Sequence, residues 1–427
     1  MNASLNVFQR LFQSWDAVYP YNAIQVVRWR GQISPAAASQ AWGSALEAMG
    51  LGRVHVEGKQ VRHESLNGEL KRYPLRVLPA DTDLQSYLSD EINRPFDDPA
   101  EPPFRPFLLP DAGSTWLGVV YRHWVADSVS IRMMMREWCE RLVEGSPFCN
   151  GRLRPGAPGY WELFNSSGHA IEQTVFDVWR THQRFRSALK VHAMRDHDCA
   201  VRVVLHSAPM GLIESLKEHA RASEVSVGDL LLAALVDAAA SHVPMQHRPN
   251  RRDLAVGNVL DLRPYSTTDL SKTFGLYLGF NSLVFRPADL LNWERLVRAV
   301  HTQSRVRRAD TARVSTIWSA AAVGVQKLMK PNRIYHFYRK EVPLAAGLSN
   351  VNLAGTWAQE RHPDFAMDYL RVSPTGPTTP AVLSVTTLGQ KLQLAFTYRQ
   401  ALLSEPQARK MIDHFVARLS QASGFAR

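Results

Sequence analysis

Thr115–Trp138, TWLGVVYRHWVADSVSIRMMMREW, runs from a β-branched and aromatic stretch through a short polar turn into a helical pattern. Thr115–Tyr121 (TWLGVVY) has the composition of a buried strand. Ile131, Met134, Met135, Trp138 and Leu142 recur at helical spacing, so Ile131–Val143 predicts a helix packed on one face. Between the two lies Arg122-His123-Trp124-Val125-Ala126-Asp127-Ser128. A strand end feeding a tight turn holds side chains rigidly at a cleft, and histidine is the usual general base near neutral pH. Asp127 is poorly placed to reach the same substrate atom as His123 and better placed to brace the turn by pairing with a cation. Spacing alone does not decide the matter. The chain has 15 His, and a second HxxxD, His192–Asp196, lies in a polar stretch where pairing along a helix surface explains it. Read by itself, His123 is as readily a packing residue as a base.

Working outward, Val7, Phe8, Leu11, Phe12 and Trp15 form an amphipathic stripe, and Ala23–Arg30 reads as a strand. Ser34, Pro35 and Gly50 bracket a helix over 35–49. Residues 81–101 are acidic, with Pro95 and Pro99 marking a turn before the Pro102-Pro103 break. Gly145–Tyr160 is rich in Gly and Pro and is the best linker candidate, followed by a helix over about 172–192. In the second half, strands are expected at Ala200–Leu205, Leu254–Val259, Asn281–Phe285, Ala381–Thr387 and Leu392–Tyr398. Helices are expected at 210–222, 292–308, about 317–329 and, opened by the capping boxes Ser226–Asp229 and Ser404–Gln407, at 227–242 and 405–420. The division implied is an N-terminal part over 1–150, a linker and connecting helix over 151–198, and a C-terminal part over 199–427. The fold class is α/β (α+β).

Thr115–Trp138 resembles the HHxxxDG region of the condensation-domain and CoA-dependent acyltransferase superfamily. Ser226–Ala240 (SVGDLLLAALVDAAA) is similar to the family's second-half helix, and Val256–Pro264 (VGNVLDLRP) to its Arg-bearing strand. Phe274–Ser282, Ser349-Asn350-Val351 and Leu392–Leu419 follow in the family's order, from an opening helix with Gln9 and Trp15. The resemblance implies two chloramphenicol-acetyltransferase-like subdomains in a V around a central tunnel. It also implies a free-standing acyltransferase moving an acyl group from a coenzyme A or phosphopantetheine thioester to an alcohol or amine. His123 would be the general base, with Asp127 in structural support paired to Arg263, no permanently bound cofactor and no metal. Arg122 stands where the family has its first His, and Ser128 where it has Gly; the plant branch's DFGWG motif is absent. Those departures give weight to an alternative, an inactive relative that recruits an acyl carrier protein or another partner.

Three cysteines without a CxxC pair argue against a structural zinc site or disulfide framework. The N-terminus lacks a basic lead followed by an apolar block, so a cytoplasmic location is expected, and the resemblance implies a role in lipid or secondary-metabolite biosynthesis. The formal charge is +11, yet Arg295–Lys340 holds eleven Lys or Arg against one acid, Asp310, which leaves the remainder near neutral. Nucleic acid is not expected, since no recognition motif accompanies the charge. Arg305, Arg307 and Arg308 are the candidates for steering an anionic donor, against a plain solvated face or peripheral contact with an anionic membrane.

Overall fold

A computed structural model describes residues 2–64, 74–98, 101–144, 154–155, 168–192, 199–246, 248–266, 268–307, 311–330, 333–353 and 366–425. The chain packs as two compact units, and neither is one run of sequence. The first comprises Met1–Asn165, Asp261–Leu278 and Ala354–Arg371; the second comprises Ser166–Leu260, Gly279–Leu353 and Val372–Arg427. Segments 261–278 and 354–371, which a linear division assigns to the C-terminal half, therefore belong to the first unit. Most of the candidate linker 145–160 lies outside the described residues.

The first unit is built on a five-stranded sheet in the order Ala366–Val372, Asn22–Arg30, Ser114–Arg122, Phe104–Asp111, Arg76–Val77. Asn22–Arg30 and Phe104–Asp111 both run antiparallel to Ser114–Arg122, so the strand leading to the turn is central. Phe104–Asp111 carries Pro106 and Pro110, neither of which has an N–H to give a ladder. It forms because its outer neighbour, Arg76–Val77, engages only Phe107 and Leu108 and leaves both prolines free of the outer ladder. Gly118 is obligatory here: the Phe107 ring lies where a Cβ on residue 118 would stand, 2.1 Å away. Helices Pro35–Met49 and Ser128–Glu144 pack together, with Trp42 against Trp138 at 4.9 Å and the Trp138 indole donating to the Ala38 carbonyl. Val7–Asp16 buries Val7, Phe8, Leu11, Phe12 and Trp15, the stripe read from sequence. Within the acidic stretch lies the helix Leu84–Glu91, which Asp83 caps by accepting from the Ser86 N–H.

The second unit holds a six-stranded mixed sheet, ordered Val201–Ser207, Lys391–Arg399, Ala381–Leu388, Ala346–Asn352, Leu254–Asp261, Leu278–Phe285. Ala346–Asn352 runs parallel to both its neighbours. Val227–His242 is apolar all round because it is covered on several sides, by the sheet and by helices Leu212–Ala222, Trp293–Arg307 and Glu405–Ala422. Its capping box forms as read, Ser226 Oγ accepting from the Asp229 N–H and Asp229 Oδ2 from the Ser226 N–H. The connecting helix lies at Gly168–Phe185 and the one expected at 317–329 lies at Thr311–Gln326. The fold class is α/β, and no single described helix is long and apolar enough to cross a membrane.

Candidate active site

Strand Ser114–Arg122 delivers His123 to the turn, where its N–H donates to the Tyr21 carbonyl at 3.0 Å. The Val125 N–H closes the turn onto the Arg122 carbonyl at 3.0 Å. The imidazole Nδ1 lies 3.1 Å from the Ala126 carbonyl oxygen. A carbonyl oxygen only accepts, so Nδ1 carries the proton, and in the neutral ring Nε2 bears the lone pair. No described residue hydrogen-bonds Nε2. The rings of Phe12, Tyr21 and Tyr121 stand 5.2, 5.5 and 5.8 Å from the imidazole and fix its plane. Burial pushes the His123 pKa below the usual 6.5, against the opposing pull of the Ala126 carbonyl and the Asp127 charge. The ring is therefore neutral at pH 7.

None of the hydrogen bonds of the Asp127 carboxylate goes to the imidazole. Its Oδ1 accepts from the Ser130 N–H at 2.9 Å, capping helix Ser128–Glu144. Its Oδ2 accepts from Arg263 Nη1 at 2.6 Å and from the Tyr277 N–H at 2.7 Å. Arg263 also donates to Ser130 Oγ at 2.9 Å, and its guanidinium lies over the Tyr277 ring. The Asp127 N–H and the Ser130 hydroxyl both donate to the Gly275 carbonyl. Gly275 adopts φ +154°, and a Cβ there would crowd the Tyr277 ring at 3.1 Å, so glycine is required. Burial opposes ionisation of Asp127, but the Arg263 guanidinium and the Ser130 and Tyr277 N–H groups outweigh it and hold the carboxyl below the ordinary range. The segment 261–278 thus serves as a clamp on the turn. Asn6 at the start of the opening helix joins it, donating to the Leu276 carbonyl at 2.8 Å.

Both departures from the motif are engaged. Arg122 donates to Asp16 through Nε at 3.0 Å and Nη2 at 2.6 Å. Ser128 Oγ accepts from Arg132 at 2.9 Å and from Gln25 Nε2 at 3.3 Å. Gln25 in turn takes a short hydrogen bond from the Tyr369 hydroxyl. Ser130, Gly275, Tyr277, Gln25 and Tyr369 were not singled out from the sequence. Gly275 and Tyr277 lie in the resembling stretch Phe274–Ser282 and Gln25 in a strand read from composition, but no spacing marks them individually, and Ser130, two residues past the motif, has a neighbour in the motif as its only clue.

Of the residues expected to steer a donor, Arg305 is exposed on helix Trp293–Arg307 in the second unit. Arg307 ends that helix, and Arg308 lies outside the described residues. Among the described residues no three His, Cys, Asp or Glu side chains gather as a metal site requires.

No protein-family model matches the sequence, and no curated protein matches it. Solved structures do. TRI3 trichothecene 15-O-acetyltransferase from Fusarium sporotrichioides is similar with a TM-score of 0.75 at 10% identity, over 99% of this chain and 95% of that one. The first condensation domain of the calcium-dependent antibiotic synthetase, in complex with a substrate analogue, gives 0.70 at 15% identity over 99% and 97%. This is the condensation-domain fold. A third structure with it, the X-domain of teicoplanin biosynthesis in complex with OxyB, gives 0.58 at 16% identity over 99% and 93%. At such identities the likeness is one of condensation-type backbone, and the side chains of the turn must argue for themselves.

Proposed function

We propose that the chain transfers an acyl group from a thioester of coenzyme A, or of a carrier protein's phosphopantetheine arm, to an alcohol or amine. The observation that carries this reading is the neutral His123 ring, locked by Nδ1 on the Ala126 carbonyl with Nε2 left as a base. Nε2 takes the proton of the acceptor as its oxygen or nitrogen attacks the thioester carbonyl. The tetrahedral intermediate collapses, the carbon–sulfur bond breaks, and His123 returns its proton to the departing thiolate. No covalent enzyme intermediate is needed. Asp127 touches no reacting atom in this scheme; with Arg263 it is a positioning residue for the turn. Arg305, with Arg307 and Arg308, draws in the anionic donor.

The test is release of free thiol from a panel of acyl-thioesters. His123→Ala lowers kcat by about 10²–10⁴. The acid limb of kcat/KM falls below pH 6.5, since burial keeps the imidazole unprotonated to lower pH than usual. Turnover untouched by His123→Ala ends the mechanism. A second reading, a recruiting protein without turnover, rests on Arg122, whose side chain is committed to Asp16. One structural neighbour, the X-domain from teicoplanin biosynthesis, is solved in complex with OxyB. Absence of turnover with every donor, together with capture of a carrier protein, selects it.

A further inference from the structure

Helix Thr311–Gln326 in the second unit wears its polarity inside out. Its buried face carries Ser315, Ser319 and Gln326, with Ala322 between them. Ser315 takes the Phe280 N–H and returns its own proton to the Phe280 carbonyl, and Gln326 donates to the Tyr338 hydroxyl, so these two inward polar groups are used for packing. The face turned to solvent presents Val325, 40% exposed, and the chain beyond the helix presents Leu328, 90% exposed. Nothing stands within 4 Å of a Cβ added at Gly324 on that face. Helix Gly168–Phe185 packs against this one and shows Val175, Phe176 and Trp179, each about half exposed, with the two aromatic rings 5.7 Å apart. Single exposed apolar residues are ordinary, but a group on two packed helices marks a surface made for contact.

The charge beside it names the occupant. Lys327 and Lys330 flank Leu328, Arg333 follows, and all three are exposed. From Thr311 to Lys340 there are six Lys or Arg and no acid at all. On the neighbouring helix, Asp177 is paired with Arg180 at 2.9 Å. An exposed apolar group with basic residues beside it in the chain needs no shaped partner. It suits an interface that yields to it, apolar just below and anionic at the surface.

We propose that this face, centred on Val325 and Leu328 and bordered by Lys327, Lys330 and Arg333, docks on anionic lipid bilayers. The side chains enter the headgroup boundary and the cations meet lipid phosphates, so the protein works at a membrane surface whatever its turnover. The experiment is flotation of the full chain with phosphatidylcholine vesicles and with vesicles containing phosphatidylglycerol, at rising salt. Binding is expected to the anionic vesicles, weakening as salt screens it. Each of Lys327→Glu and Lys330→Glu costs at least about fivefold in partition. Leu328→Asp, on a fully exposed residue whose loss leaves the circular dichroism spectrum unchanged, removes most of the binding. Failure to float with either vesicle overturns the proposal. So does flotation indifferent to Leu328→Asp, or retention of this face by an acidic carrier protein with no vesicle binding. None of these readouts depends on thioester turnover.

Discussion

Asp127 and Asp229 are both buried carboxylates at the start of a helix, one in each unit, and they are held by unlike partners. Asp229 gives one oxygen to the Ser226 N–H three residues back and to His301 Nδ1 at 3.0 Å. Asp127 also serves its own helix, through Ser130, but spends its second oxygen on Arg263 and Tyr277, 136 and 150 residues away. His301, with its side chain 22% exposed, can turn to water when its partner is lost. Arg263 cannot, and its side chain is only 9% exposed. The same residue type at the same kind of position therefore does a local job in one unit and a global one in the other.

Truncation exposes that difference most sharply. Asp127→Ala strands a buried guanidinium and costs about 3–5 kcal/mol in denaturant unfolding, whereas Asp229→Ala loses a cap and costs about 1 kcal/mol. Replacing both partners, Asp127→Leu with Arg263→Met, recovers much of the first loss, because no charge is left uncompensated. Equal costs for the two alanine variants would break the comparison.

Acid sharpens it next. Burial works against ionisation at both carboxyls, yet Arg263 at Asp127 and His301 with Ser226 at Asp229 hold both below the ordinary 3.8. A carboxyl held low in the fold takes up its proton later than in the unfolded chain. Its stabilisation is whole above pH 3.8 and drains away as the pH falls through the folded value. Arg263→Met removes the main counterweight at Asp127, so acid unfolding followed by circular dichroism begins at higher pH; His301→Gln moves the onset less. The smallest effect is expected at Ser128→Gly, which restores the motif's glycine and gives up the hydrogen bonds from Arg132 and Gln25. It costs about 0.5 kcal/mol in the same unfolding assay. A gain in stability would show the hydroxyl to be idle.

The legible part of the molecule is the part written in short spacings. Helix Pro35–Met49 announces itself through Pro35 and Gly50, although Ser34 makes no side-chain cap bond. The box Ser226–Asp229 and the stripe of Val7–Trp15 were equally plain, because each involves contacts within a turn or two. The strand and helix around His123 could be read in the same way. What could not be read from spacing is the return of 261–278 and 366–371 to the first unit, where pairing is decided by residues far apart in sequence. Prolines hid Phe104–Asp111, since their tolerance depends on a neighbour strand two residues long. The contact between Asp127 and Arg263 came into view only through resemblance to a family, and its clamp partners Ser130, Gly275 and Tyr277 did not.

That return of distant segments sets a timetable for synthesis. A ribosome lengthens a chain by about 5–20 residues per second, so the Tyr277 N–H follows Asp127, 150 residues earlier, by roughly eight to thirty seconds. Strand Ala366–Val372, the neighbour of Asn22–Arg30, arrives later still. The unit begun first is thus among the last to close. Throughout that interval Asn22–Arg30 offers an unpaired edge to any other nascent strand, and it is there, rather than in the finished protein, that a chaperone has most to guard.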